Sequence, residues 1–200
     1  VIYDAGATVT DSDTAVLTGG QLIYQITANG TATDELGIQN QGTGAGQIGL
    51  SGTNVTYGGT TIGTYSGSFG NGSTPLTVTF NSNASVAAVQ ALVRNVTFRN
   101  TSENPSTATR TISLTVSDGT GMTSAPAIVS MAVTAVNDAP TVTSAASASV
   151  AENTSAVMTV TSSDVDGGTP VYSISGGVDA AKFTINSSTG ALSFVSAPDY

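Results

Sequence analysis

Two hundred residues, 39% hydrophobic and only 8% charged, can bury one large core or two small ones and are too apolar to remain unfolded. The chain contains no His, Cys or Trp, which removes imidazole and thiolate zinc sites, Ser-His-Asp and Cys-His nucleophiles, and disulfides. A net charge of −9, from 13 acids against 4 bases, argues against nucleic acid and anionic membrane surfaces as partners, because both demand clustered Lys and Arg.

Thr, Ser, Gly, Ala and Val dominate, with 23 glycines, a mixture that suits short strands and frequent turns. No apolar run approaches a membrane-spanning length. The opening "VIYDAGATVTDSD" reads as mid-strand and the closing "APDY" as cut, which is the expectation for a piece of a longer protein.

In chain order, "QLIYQITA" alternates Leu22, Tyr24 and Ile26 and predicts a strand. "TNVTYGGTTIGTYSG" predicts two strands hinged at Gly58-Gly59. "PLTVTFN" sets Leu76, Val78 and Phe80 on one face. "NASVAAVQALVRN" changes period: Val86, Val89, Leu92 and Val93 recur at helical spacing behind the candidate caps Asn83 and Ser85. That predicts one short helix at about residues 85–93, a connector over the core. "RTISLTVSDG" aligns Ile112, Leu114 and Val116. "APAIVSMAVTAV" carries Ile128, Met131, Val133 and Val136 with one slip of phase, for which a bulge is expected.

Asn137-Asp138-Ala139-Pro140 interrupts the alternation, and a fresh series follows: "TVTSAASASV", "AVMTVTSSD", "PVYSISGG", "FTINSSTG" and "ALSFVSAPDY". The spacing of roughly ten residues is that of an Ig-like sandwich, and the series stops before about two closing strands. The expected fold is all-β: tandem Ig-like sandwiches over residues 1–136 and 141–200, a linker at 137–140, and a truncated second domain.

The sparse acids gather at strand ends. Asp11-Ser12-Asp13 and Asp164-Val165-Asp166 are D-x-D pairs, and Asp118, Asp138, Glu152, Asp199 and Glu103 sit in turns or joints. In extended chain, residues two apart share a face, so each pair is expected to set its carboxylates side by side. Such hard oxygen clusters suit Ca²⁺, which takes about 6–8 oxygens. The competing reading, Asp before Gly as an ordinary turn residue, fits "SDG" and "VDGG" taken singly. Neither an EF-hand nor a glycine-rich nonapeptide repeat is present.

The motifs "VTAVNDAPTVT", "VAENTS", "SSDVDGG", "DAAKFTINSSTGALSF" and "PDY" together resemble a cadherin-like repeat over essentially all of residues 132–200. The "VNDAP" joint and "DAAKF" resemble the bacterial version, found as tandem arrays in giant secreted surface proteins and adhesins. The first 131 residues match that repeat less well, sharing "TDSD", "LTVSDGTG" and the closing "VNDAP". The resemblance implies Ca²⁺ between successive domains. It assigns Asp164 and Asp166 to the top of the second domain, with Asn137 (through its carbonyl) and Asp138 as linker ligands. Glu103 would supply the lower rim of the first domain; Asp11, Asp13 and Asp118 its top; Glu152 and Asp199 would face a following domain.

Three functions are weighed. One is an extracellular, calcium-stiffened adhesive link in a long bacterial surface protein, with neighbouring domains of the same chain and a surface glycan or protein receptor as partners. The second is a subunit of an extracellular fibre, sheath or surface layer in which copies of the chain complement one another's strands. The third is a carbohydrate-binding module using Tyr57, Tyr65 and Phe69. Catalysis is not expected, because the acid pairs lie in strand-end loops with no cleft implied.

Overall fold

The computed structural model describes residues 4–66 and 74–199. The chain divides into two compact units, Val1–Ala135 and Val136–Tyr200.

The first unit contains β1 (Gln21–Ala28), β2 (Asp34–Ile38), β3 (Ile48–Ser51), β4 (Asn54–Tyr57), β5 (Thr60–Ser66) and β6 (Leu76–Phe80). After α1 (Val86–Val93) come β7 (Val96–Asn100), β8 (Arg110–Val116) and β9 (Ala127–Met131). Seven strands form one sheet in the order β3-β4-β5-β6-β1-β8-β9, and β2 pairs with β7 in a second. All these pairings are antiparallel.

Alternation decides which side chains enter the core. On β1, Leu22 and Tyr24 are fully buried, and they stand opposite Val78 and Leu76 of β6 and Val116 and Leu114 of β8. From the other sheet Leu36 faces Phe98 and Ile38 faces Val96, and all four join the same core cluster. Burying each such side chain contributes about 1.5–3 kcal/mol.

The helix forms where the period predicts it. Ser85 caps it, its Oγ accepting from Ala88 N at 3.2 Å, and Ala88, Val89, Leu92 and Val93 are buried. Gly58 and Gly59 both have positive φ, +56° and +81°, which lets a two-residue turn follow the twist of β4 and β5.

One expectation fails. On β9 the inward residues are Val129 and Met131, followed by Val133, in unbroken period 2, while Ile128 points outward. The β8–β9 register is continuous, so no bulge is needed. The slip arose from counting Ile128 rather than Val129 as a core residue. Among the described residues of this unit the irregular registers lie elsewhere, between Ile26 and Ala28 on β1 and between Val55 and Thr56 on β4.

The second unit contains β10 (Thr141–Val142), β11 (Ala156–Thr159), β12 (Ser162–Ser163), a 3₁₀ turn (Ala180–Lys182), β13 (Phe183–Ile185) and β14 (Ala191–Phe194). β10 pairs with β12, and β14 lies between β11 and β13. Phe183 and Phe194 are register partners with ring centroids 4.7 Å apart. Among the described residues of this unit no apolar side chain is fully buried; Gly190 is the one buried residue. "PVYSIS" alternates like a strand but joins no ladder among the described residues; Tyr172 N donates to Ser187 O at 2.9 Å. Val171 and Val178 stand open to solvent.

The chain is therefore all-β, with one short helix among the described residues. No helix is long and apolar enough to cross a membrane among the described residues.

Candidate functional site

The acids at the start of the second unit are linked through the backbone. Asp164 Oδ1 accepts from Asp166 N at 2.9 Å, and Asp166 Oδ2 accepts from Asp138 N at 2.6 Å. The entry segment is thus tied to the D-x-D turn after β12. Asn137 Nδ2 donates to Asp138 O at 2.9 Å. Gly168 leaves space beside Asp164: a Cβ there would sit 3.0 Å from Asp164 Oδ2.

The D-x-D carboxylates do not lie side by side on extended chain as expected. In each pair the first Asp turns back and captures the backbone of the second. Asp11 Oδ1 accepts from Asp13 N at 2.9 Å and Thr14 N at 2.8 Å, in parallel with Asp164 and Asp166. An Asp side chain satisfies N–H groups two or three residues on at little conformational cost, so it makes a local turn rather than a strand.

Asp118 caps a second turn, its Oδ1 accepting from Thr120 N at 2.9 Å and Met122 N at 3.0 Å. The Thr120 hydroxyl holds its carboxyl below the usual range, aided by those backbone N–H groups and opposed by burial and, less, by the negative charge of Asp11. Asp11 is likewise held low, chiefly by the backbone N–H of Thr14. These two acids of the first unit are therefore near enough to sense each other. Asp13 accepts from Ser12 Oγ at 3.0 Å.

Glu103 is exposed in the β7–β8 connection. Asn153 N donates to Pro198 O at 2.7 Å, which brings the neighbours Glu152 and Asp199 to one end of the second unit. No three acids converge closely enough to hold a metal among the described residues.

The donor set after β12 suits Ca²⁺ in kind. Asp164 and Asp166 each accept one of these N–H bonds through a single carboxylate oxygen, and the Asp138 backbone is tied to the same turn.

Tyr57 and Tyr65 are half-buried and packed against the core of the first unit, as sandwich side chains rather than an open stacking face. Phe69 lies outside the described residues.

A site that sequence reasoning missed is a buried ion pair. Arg110 Nε donates to Asp34 Oδ2 with both side chains fully buried. The signal was a lone Arg opening the apolar alternation "RTISLTV" and an Asp opening "DELGI".

No family model matches the chain, and no curated protein does. Solved structures similar to it include two cadherin-type chains. Against the protocadherin GammaB4 extracellular domain the identity is 21% and the TM-score 0.34, over 84% of this chain and 22% of that one. Against mouse clustered PcdhgC3 EC1-3 the identity is 14% and the TM-score 0.30, over 88% of this chain and 45% of that one. The chain spans less than half the length of either. The architecture described above rests on the strand pairing itself.

Proposed function

We propose that this chain is a non-catalytic extracellular module, a structural and adhesive link in a long bacterial surface protein, stiffened by Ca²⁺ at the start of its second unit. The observation that carries the reading is the tie between Asp138 and the Asp164–Asp166 turn. Three acids in a chain with so few charges are joined through backbone N–H groups where a new unit begins. Asp138, Asp164 and Asp166 would hold the ion, with the Asn137 carbonyl. Bound there, Ca²⁺ supplies charge neutralisation and oxygen cross-linking. The chain's own part is to fix the carboxylates: Asp164 through the Asp166 N–H, and Asp166 through the Asp138 N–H. The same bonds fix the entry of the chain into the second unit, beside its D-x-D turn.

The experiment is calcium titration of the intact chain, followed by calorimetry and by small-angle scattering. Binding that raises Tm and stiffens the particle is expected. No heat of binding, with a chelator leaving Tm unchanged, would remove calcium from the reading.

A second reading, strand complementation between copies in a fibre, is favoured by one observation. The second unit buries no apolar side chain among its described residues and leaves "PVYSIS" outside any ladder. Concentration-dependent assembly that protects the amides of residues 171–175 tests it.

A further inference from the structure

β3 ends the large sheet, with β4 on one side and no strand on the other among the described residues. The backbone groups of successive strand residues face opposite ways, so every second residue of an end strand turns its N–H and C=O outward. Such an edge is a template for a strand of another chain, and proteins commonly blunt it with charge or proline. Neither is at hand here. The sequence holds no charged residue between Glu35 and Arg94 and no proline between Glu35 and Pro75. The strands "IGLS", "NVTY" and "TTIGTYS" form an uncharged stretch rich in β-formers, of the kind that pairs with copies of itself.

The edge is covered instead by the segment that joins β2 to β3. Gln41 N donates to Ile48 O at 2.7 Å, Ile48 N donates to Gln41 Oε1 at 3.0 Å, and Leu50 N donates to Asn40 Oδ1 at 3.3 Å. Ile48 and Leu50 are two apart, so these bonds fall on the outward groups of the strand. One backbone N–H and two side-chain amides thus make the rungs that a neighbouring strand would make.

The segment is anchored at both ends. Gln39 N donates to Asn95 O at 2.8 Å. Gly44 N donates to Gln47 Oε1 at 2.8 Å, and Gln47 N returns a bond to Gly44 O at 3.0 Å. Glycine lets it lie against the strand. Gly42 carries φ +118°, and a Cβ on Gly49 would sit 2.5 Å from Gly42 O, so any side chain there would lift the segment away.

We propose that residues 39–47 are an edge guard: they occupy the hydrogen-bonding edge of β3 and keep a second copy of this chain from adding a strand there. A second copy is the partner to exclude because residues 48–66 are uncharged. Two copies meet there without the like-charge opposition that a chain of net charge −9 presents elsewhere. The guard acts in the first unit and is independent of strand complementation in the second.

The test uses the whole chain, with amide exchange and with light scattering as a function of concentration. Asn40 and Gln41 are exposed, so their replacement is expected to leave Tm unchanged. Asn40→Ala is expected to speed exchange at Leu50, and Gln41→Ala at Ile48, by ~10-fold or more, each leaving the other amide as in the parent chain. Asn40→Ala/Gln41→Ala is expected to assemble at concentrations where the parent does not, with Ile48 and Leu50 protected in the assembly. Adding Ser51→Lys, at an exposed position of the same strand, is expected to suppress that assembly, since an edge lysine blunts strand pairing. Gly49→Ala lifts the segment without removing its amides and is expected to assemble in the same way. Unchanged exchange in both single variants, a double variant that scatters no more than the parent, or assembly indifferent to Ser51→Lys overturns the proposal. Assembly that protects residues 171–175 and not Ile48 or Leu50 also overturns it, while supporting the fibre reading of the second unit.

Discussion

Arg110 Nε and Asp34 Oδ2 meet at 3.1 Å in the first unit, and neither side chain is accessible to solvent. Asp34 also accepts from Asn100 Nδ2 at 2.7 Å and Thr31 N at 2.8 Å, while Arg110 Nη1 donates to the Ser106 and Ala108 carbonyls. The pair thus gathers the start of β2, the end of β7 and the loop before β8. Removing one member strands a buried charge, which costs about 3–5 kcal/mol. Asp34→Ala is expected to lose that much stability in urea unfolding. The double variant Asp34→Leu/Arg110→Met is expected to recover most of it, since apolar replacement of both partners removes the desolvation cost. A double variant no more stable than Asp34→Ala would show that the pair's worth is not electrostatic.

The same pair sets a pH dependence. Burial pushes the Asp34 carboxyl upward, but the hydrogen bonds from Asn100, Arg110 and Thr31 together outweigh it and hold the group below its ordinary 3.8. A carboxyl depressed in the folded state contributes stability that is fully present above its unfolded value, about 3.9, and is lost as pH falls through the folded value. Asp11 and Asp118 are depressed too and add the same sign. Tm is expected to fall as pH drops below about 4, with the Asp34 contribution level above about pH 5. Asp34→Asn, measured by thermal melts, is expected to flatten the acid limb.

Calcium is expected to raise Tm. At a free concentration about 100 times Kd the gain is about 2.7 kcal/mol. Asp166→Asn keeps an oxygen for the Asp138 N–H but removes the charge, so it is expected to weaken binding by ~10-fold or more in calorimetry while the unit still folds. Asp13→Asn serves as the control in the first unit.

Ser85 is the lone side-chain cap on α1, accepting from Ala88 N. Ser85→Ala is expected to cost about 1 kcal/mol, and Ser85→Asp to be near neutral. Chemical denaturation resolves the two.

Gly119 lies against the backbone of the Thr18–Gly19 turn. A Cβ there would sit 1.7 Å from Thr18 O, so the turn after β8 must shift to admit one. Gly119→Ala is expected to cost roughly 1–3 kcal/mol, as overpacking does. Gly121→Ala meets nothing within 4 Å but carries φ +98°, so its cost is one of backbone conformation alone.

What the sequence determined by itself was local. The alternation of Leu76, Val78 and Phe80 and the switch to helical spacing at Val86–Val93 follow from side-chain period, and the Gly58-Gly59 hinge from backbone sterics. Each is fixed within a few residues, so each was legible. Tertiary structure decided the rest. Whether Ile128 or Val129 faced inward depended on β8 lying alongside, because both are apolar and either phase satisfies the pattern. The partnership of Arg110 with Asp34 spans 76 residues of sequence separation and has no local signature. The turns of the two D-x-D pairs came from Asp oxygens capturing the next N–H groups, a competition that spacing alone does not settle.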